Sequence, residues 1–285
     1  MLEIDKNKEG AVYIAFGYLY LVMALFSMRT LKKRNITLPV MIITNIDFDF
    51  KKLEFWSEAI DSIQLVNLDP RENRQIKTDL YKFVPFNRVA FIDADTYVLN
   101  DIKNAWKFLD YFDLALRVNP TKQKKIGKGD QLVIDSNTYV RDVTHFNSGV
   151  IFFKKSESTK NFFSLWTKYF KERNSPYDQI SLVDAIFKSE AKVLPLIEDW
   201  NYFPDLRYYI GKVEPPYIVH YTNRISYLLE TEFIKIAKLL GFEVDELRNQ
   251  IKLKRLTRKK KIGLFNWFKM LFCWRFLSNF EKKNW

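Results

Sequence analysis

Residues 11–28, AVYIAFGYLYLVMALFSM, carry no charged side chain over 18 positions. A run of that length either spans a bilayer, as a signal-anchor helix does, or is buried inside a large core. Its punctuation separates the two. Gly17 and several tyrosines interrupt the run and no A-x-A cleavage site follows. Basic residues flank both ends, Lys6 and Lys8 before it and Arg29, Lys32, Lys33 and Arg34 after it, so no positive-inside asymmetry is set. The run therefore reads as a buried strand over Val12–Phe16, a turn at Gly17 and a helix from about Leu19 to Lys33.

The alternation continues. Leu38–Thr44 (LPVMIIT) and Ser62–Leu68 (SIQLVNL) have the length and composition of strands, Thr78–Phe83 of a helical turn, and Arg88–Ile92 of a fourth strand. Strands separated by helical patterns form βαβ units, so the expected class is α/β, with a mostly parallel central sheet flanked by helices on both faces. With 285 residues, 47% hydrophobic and 16% aromatic, the chain can bury the core that such a sheet needs. Ligands of these sheets bind beyond the carboxyl ends of the strands, where Gly17 and Asp93–Asp95 both fall. Neither G-x-G-x-x-G nor G-x-x-x-x-G-K-[ST] occurs, which excludes a dinucleotide fingerprint and a P-loop. The single Cys273 cannot form an internal disulfide and there is no Cys/His cluster for zinc, which fits a reducing compartment.

The chemistry concentrates where Arg88–Ile92 runs into Asp93, Ala94 and Asp95. Carboxylates spaced i, i+2 along a strand share a face, and their oxygens suit Mg²⁺ or Mn²⁺ bound together with substrate phosphates. A solvated turn has the same sequence pattern, so the pair needs partners. Tyr217–Tyr221 (YIVHY) is a late strand that delivers His220, an imidazole ligand for such a cation. Phe146–Phe153 (FNSGVIFF) is a strand entered through Asn147, Ser148 and Gly149, where the glycine permits close approach of a ligand or marks a bulge. Tyr177, Asp178 and Gln179 open the helix SLVDAIF, with Asp178 a candidate N-cap, and Asp199, Trp200 and Asn201 read as loop.

Charge divides the molecule in two. Of the net +12, residues 248–285 carry +11, from twelve cations against the single acid Glu281, which leaves residues 1–247 at +1. In that tail a basic cluster at Arg255–Lys261 precedes Phe265, Trp267, Phe268, Phe272, Trp274, Phe276 and Phe280. Aromatics beside Lys and Arg are the composition of a segment lying in an anionic headgroup interface, too short and too charged to span it. A C-terminal helix packing its aromatics on the body is the alternative. Nucleic acid is not an expected partner, because the near-neutral body offers no continuous basic groove. The expected organisation is a catalytic domain over 1–247 and a basic, aromatic, helical tail over 248–285. The tail would attach the protein peripherally to the inner, cytoplasmic face of a membrane.

These pieces in this order resemble the GT-A nucleotide-sugar glycosyltransferases, most closely glycosyltransferase family 8, the lipopolysaccharide galactosyltransferase and glycogenin-like group. The matching segments are AVYIAFG, Lys77 sixteen residues ahead of Asp93, RVAFIDADTYVLNDI, FNSGVIFF, Asp178-Gln179 and HYTN at 220–223, over residues 11–225. The resemblance implies a GT-A, Rossmann-like fold and sugar transfer from a nucleotide-diphosphate donor, UDP-sugar in the first instance, to a glycolipid or glycan with retention of configuration. It implies that Asp95 and His220 coordinate Mn²⁺ or Mg²⁺, with Asp93 on the metal or the ribose. Ala15, Phe16, Gly17 and Ala94 would line the nucleotide pocket, Lys77 would lie near the donor phosphates or sugar, and Asn147, Asp178 and Gln179 would surround the transferred sugar. Two positions depart from the family pattern. Phe16-Gly17-Tyr18 lacks the acid that relatives often carry after the first strand, and Arg224 stands as the nearby cation where many have a diphosphate-binding lysine. The same Asp pair would also serve a metal-dependent nucleotidyltransferase or phosphohydrolase. With a degenerate site, the chain would be a membrane or nucleic-acid binding module.

Overall fold

The computed structural model describes residues 9–49, 62–66, 73–119, 143–174, 177–203, 215–222 and 225–255. The uncharged run at 11–28 becomes strand β1 (Glu9–Ala15) followed by helix α1 (Tyr18–Arg34). Gly17 makes the turn between them at φ 80°, a left-handed conformation that glycine adopts without steric cost. α1 is buried on every side from Leu21 to Met28, the pattern of a helix enclosed by other elements rather than one facing solvent. Among the described residues no helix is long and apolar enough to cross a membrane.

β2 (Val40–Thr44), β3 (Ser62–Leu65) and β4 (Arg88–Ile92) follow, with the short helices α2 (Asn73–Thr78) and α3 (Leu80–Phe83) between β3 and β4. Then come β5 (Thr96–Val98), α4 (Asn104–Tyr111), β6 (Leu114–Asn119), β7 (His145–Lys154), α5 (Glu157–Arg173), α6 (Asp178–Lys188), β8 (Val193–Leu196), a 3-10 turn at Glu198–Asn201, β9 (Ile218–His220) and α7 (Tyr227–Leu240). Among the described residues the main sheet has seven strands in the order β3-β2-β1-β4-β7-β6-β8. It is parallel except at β7, which runs antiparallel to both β4 and β6. β5 and β9 form a separate antiparallel ribbon that pairs Thr96 with His220. Two core clusters cover the faces of the sheet, one built on α1, α4 and α7, the other on α5, α6 and the helices before β4.

After α7, Gly241 caps the helix at φ 74° and the chain enters a further helix, α8, over 244–255. α8 runs through residue 247 without a break and buries Leu247 and Ile251 one turn apart. The cluster and aromatics at 256–285 lie outside the described residues.

Candidate active site

β4 ends at Ile92, so Asp93 and Asp95 belong to the turn that enters β5 rather than to the strand itself. Their convergence therefore comes from a built turn, not from strand alternation. The Asp93 N–H donates to the Gly149 carbonyl on β7 at 2.8 Å, and the Tyr221 N–H donates to the Asp95 carbonyl at 3.1 Å. Below the turn, the Thr96 hydroxyl donates to the Asp93 carbonyl at 2.8 Å and lies 2.7 Å from the Ser27 hydroxyl, which also bonds Tyr13. This buried chain of hydroxyls anchors the turn to β1 and α1.

The β5–β9 ribbon then places His220 against the pair, with Nε2 3.0 Å from Asp95 and 4.0 Å from Asp93. The potential ligand atoms of Asp93, Asp95 and His220 all lie within 4.8 Å of one another. The other imidazole nitrogen, Nδ1, lies 3.0 Å from Asn201 Oδ1, and the Asn201 amide donates to Asn147 Oδ1 at 2.7 Å. An amide oxygen accepts only, so Nδ1 carries the proton in this pair and Nε2 is directed at the carboxylates. Phe203 stacks on the imidazole at 4.6 Å. Behind it is Gly149, where a Cβ would stand 2.5 Å from His220 Cε1 and 2.7 Å from Nδ1. The space left by this glycine, which the sequence assigns to a ligand or a bulge, is filled by the His220 ring.

Lys77 forms a second layer. Its ammonium is buried, 3.1 Å from Asp93 Oδ1 and 3.5 Å from Asp178 Oδ2, and the Ser148 hydroxyl donates to Asp178 Oδ2 at 2.8 Å. Burial disfavours every charge here, and the neighbours decide the outcome. Burial raises Asp93 above the usual carboxylate range, and Lys77 and His220 only partly offset it. At Asp95 and Asp178 burial acts the same way but is outweighed, by His220 in the first case and Lys77 in the second, so both are lowered. Burial pulls Lys77 and His220 down, and the adjacent carboxylates overcome it and leave both raised.

The result is a cleft of about 390 Å³ at the carboxyl ends of β1 and β4, lined among others by Tyr20, Arg74, Lys77, Asp93, Asp95 and His220. Two carboxylates and an imidazole whose free nitrogen faces them are a donor set for a hard divalent cation.

The model of glycosyl transferase family 8 matches residues 73–225, the span that carries this turn, Lys77, Asp178 and His220. The chain belongs to glycosyl transferase family 8. Solved structures show the same fold at low identity. Galactosyltransferase LgtC, solved with donor and acceptor sugar analogues, superposes with a TM-score of 0.55 at 14% identity, over 85% of this chain and 99% of LgtC. GlyE of Streptococcus pneumoniae gives 0.55 at 16%, over 85% of this chain and 63% of GlyE. The bifunctional glycosyltransferase WbbM gives 0.57 at 12%, over 87% and 52%. No curated protein sequence matches the chain. The fold is accordingly GT-A, and the activity is that of a nucleotide-sugar glycosyltransferase, which removes the nucleotidyltransferase, phosphohydrolase and pure binding-module readings.

Several residues singled out from the sequence meet in the cleft: Lys77, Asp93, Ala94, Asp95, Asn147, Asp178, Gln179 and His220. Ala15, Phe16 and Gly17 are not among its lining residues; Ile14 lines it instead. Ala15 and Phe16 are buried in opposite core clusters, and the Gly17 N–H donates to Asn45. Asp178 is not an N-cap. Tyr177 holds that position in extended geometry, and Asp178 begins α6 with its carboxylate turned to Ser148 and Lys77. The sequence places Asn201 in a loop; it stands in the 3-10 turn, fully buried, as the group that orients His220. Nothing in the sequence around Asn201 signals that role, because its partner is nineteen residues away across β9. Arg224 lies outside the described residues.

Proposed function

We propose that this family 8 enzyme transfers a sugar from a UDP-sugar to a glycolipid or other glycan, with retention of configuration, using Mn²⁺ or Mg²⁺ held by Asp93, Asp95 and His220. The observation that carries the reading is the convergence of those three side chains in one cleft with Lys77, Asp178 and Gln179. When bound, the cation supplies Lewis-acid stabilisation of the charge that develops on the departing diphosphate. The rest of the work falls to the chain. Asn201 and Phe203 hold the imidazole in the tautomer that presents Nε2. Lys77 keeps Asp178 ionised, opposes the effect of burial on Asp93 and holds both carboxylates in place, and Gln179, on the first turn of α6, borders the space for the sugar. No protonated general acid is needed at a diphosphate leaving group, which agrees with a cleft whose carboxylates are engaged by cations.

The basic, aromatic segment 248–285 supports a further part of the proposal, peripheral attachment to an anionic membrane at the cytoplasmic face, where a glycolipid acceptor would be met. The test is a thermal-shift panel of nucleoside diphosphates with Mn²⁺, Mg²⁺ or EDTA on the wild type and on Asp95→Ala. Stabilisation by UDP that needs the cation and is lost in the variant is expected. A wild-type chain that no nucleoside diphosphate stabilises in either metal would overturn the proposal.

A further inference from the structure

α8 ends at the wall of the cleft. Lys254 Nζ donates to the Tyr20 hydroxyl at 2.7 Å and lies 4.4 Å over the same ring, and Tyr20 lines the cleft with Asp95 and His220. The next residue fixes the helix in that position. Arg255 pairs with Glu230 at 2.7 Å and donates to the Ile225 and Ser226 carbonyls at 3.0 and 3.2 Å, in the segment that follows His220. Phe242 packs on Tyr18 at 4.6 Å, so α1 is clasped before and after α8 begins.

The charge balance shows what this position is worth. A divalent cation together with Lys77 neutralises Asp93, Asp95 and Asp178, and leaves nothing over for a nucleoside diphosphate. Arg74 borders the cleft on the Tyr177 side, 5.4 Å above that ring. Among the described residues, Lys254 brings a cation to the Tyr20 wall of the cleft, close enough for its charge to act on Asp95. Tyr20 also belongs to the first turn of α1, which contains no acid and whose N-terminus adds about half a positive charge.

We infer that Lys254 binds the diphosphate of the nucleotide sugar, which makes a residue of the C-terminal helix, at the root of the basic tail, part of the donor site. The inference rests on the donor site proposed above. On donor entry, the ammonium exchanges a hydrogen bond to a neutral phenol for one to a phosphate oxygen, in which both partners are charged. Lys254 then belongs to the enzyme's chemistry and not to the membrane-facing charge of the tail.

The experiment is calorimetric titration of the full chain with UDP and with uridine, both in Mn²⁺, for the wild type, Lys254→Ala and Lys254→Arg. Loss of a hydrogen bond to a charged group should weaken UDP binding by about 10- to 100-fold in Lys254→Ala. Uridine affinity should stay within about twofold of wild type, because no phosphate is present, and Lys254→Arg should recover most of the UDP affinity. Equal losses for UDP and uridine would mean that Lys254 only braces Tyr20, and would overturn the inference. So would unchanged UDP binding in Lys254→Ala. A wild type that binds no UDP in Mn²⁺ would overturn both the inference and the donor site on which it rests, whereas wild-type binding with an insensitive Lys254 overturns the inference alone.

Discussion

Gly149→Ala is the substitution whose consequences the geometry defines most closely. The new Cβ would stand 2.5 Å from His220 Cε1, 2.7 Å from Nδ1 and 2.9 Å from Asn147 Oδ1. Carbon atoms in contact prefer about 3.5–4.0 Å, so the ring must retreat by about 1 Å. It cannot do so and keep its bonds, since Nδ1 is held by Asn201 at 3.0 Å and Phe203 covers the ring. Nor can β7 yield, because the Gly149 carbonyl accepts from Asp93 and its N–H donates to Asn147. Overpacking costs about 1–3 kcal/mol and the broken hydrogen bond about 1 kcal/mol more. At about 2–4 °C per kcal/mol for a large domain, the melting temperature should fall by roughly 4–16 °C. Displacing the imidazole should also weaken Mn²⁺ binding by about 10- to 100-fold, the scale seen when a metal ligand loses its orienting partners. Gly10→Ala is the control. Its Cβ would collide with the Phe86 ring, in the core away from the cleft, so it should lose stability without losing metal. Thermal melts and Mn²⁺ titration of both variants decide the matter. Wild-type Mn²⁺ affinity in Gly149→Ala, or an equal loss in Gly10→Ala, would refute the reasoning.

Other perturbations separate the roles further. Lys77→Ala leaves the buried Asp178 and the partly exposed Asp93 without their shared cation and should cost about 3 kcal/mol by denaturant unfolding, the low end of the range for a buried pair; a loss below about 1 kcal/mol would move Lys77 out of the structural network. Without metal, the His220–Asp95 pair should stabilise the fold between the depressed Asp95 value, below its ordinary 3.8, and the raised His220 value, above its ordinary 6.5. Stability should fall as pH drops through the first and as it rises through the second, while Mn²⁺ affinity rises with pH as His220 loses its proton; a Mn²⁺ affinity that is flat across that upper window would contradict the arrangement. Truncation after Arg255 should leave melting unchanged and abolish sedimentation with anionic vesicles. Truncation after Glu246 should destabilise the fold, because it removes Leu247 and Ile251, each worth about 2–5 kcal/mol, together with the Arg255–Glu230 pair. Equal vesicle binding by the full chain and the shorter one ending at Arg255 would remove the membrane role.

Much of this was legible along the chain because it depends on local periodicity. The uncharged run at 11–28 separates into β1 and α1 because Gly17 interrupts it and both pieces are buried, and an apolar strand running into Asp93 and Asp95 marks the end of a sheet strand where ligands collect. Local pattern does not mark the strands β5, β6 and β8 or the helices α2, α4, α5 and α7. β5 and β8 are only three and four residues long, too short for a period to register, whereas β9, equally short, is marked by the apolar run around His220. The antiparallel insertion of β7 and the pairing of Thr96 with His220 are likewise tertiary facts. Residue types and the family resemblance mark Asp93, Asp95 and His220 as candidate ligands. What orients them belongs to the three-dimensional arrangement: Asn201 on Nδ1, Gly149 yielding space to the ring, Lys77 between two carboxylates and Lys254 at the cleft from the far end of the chain. The reason is physical. A side chain's affinity for a metal or a phosphate is written in its own chemistry, whereas its position and protonation depend on neighbours that only folding brings within about 3 Å.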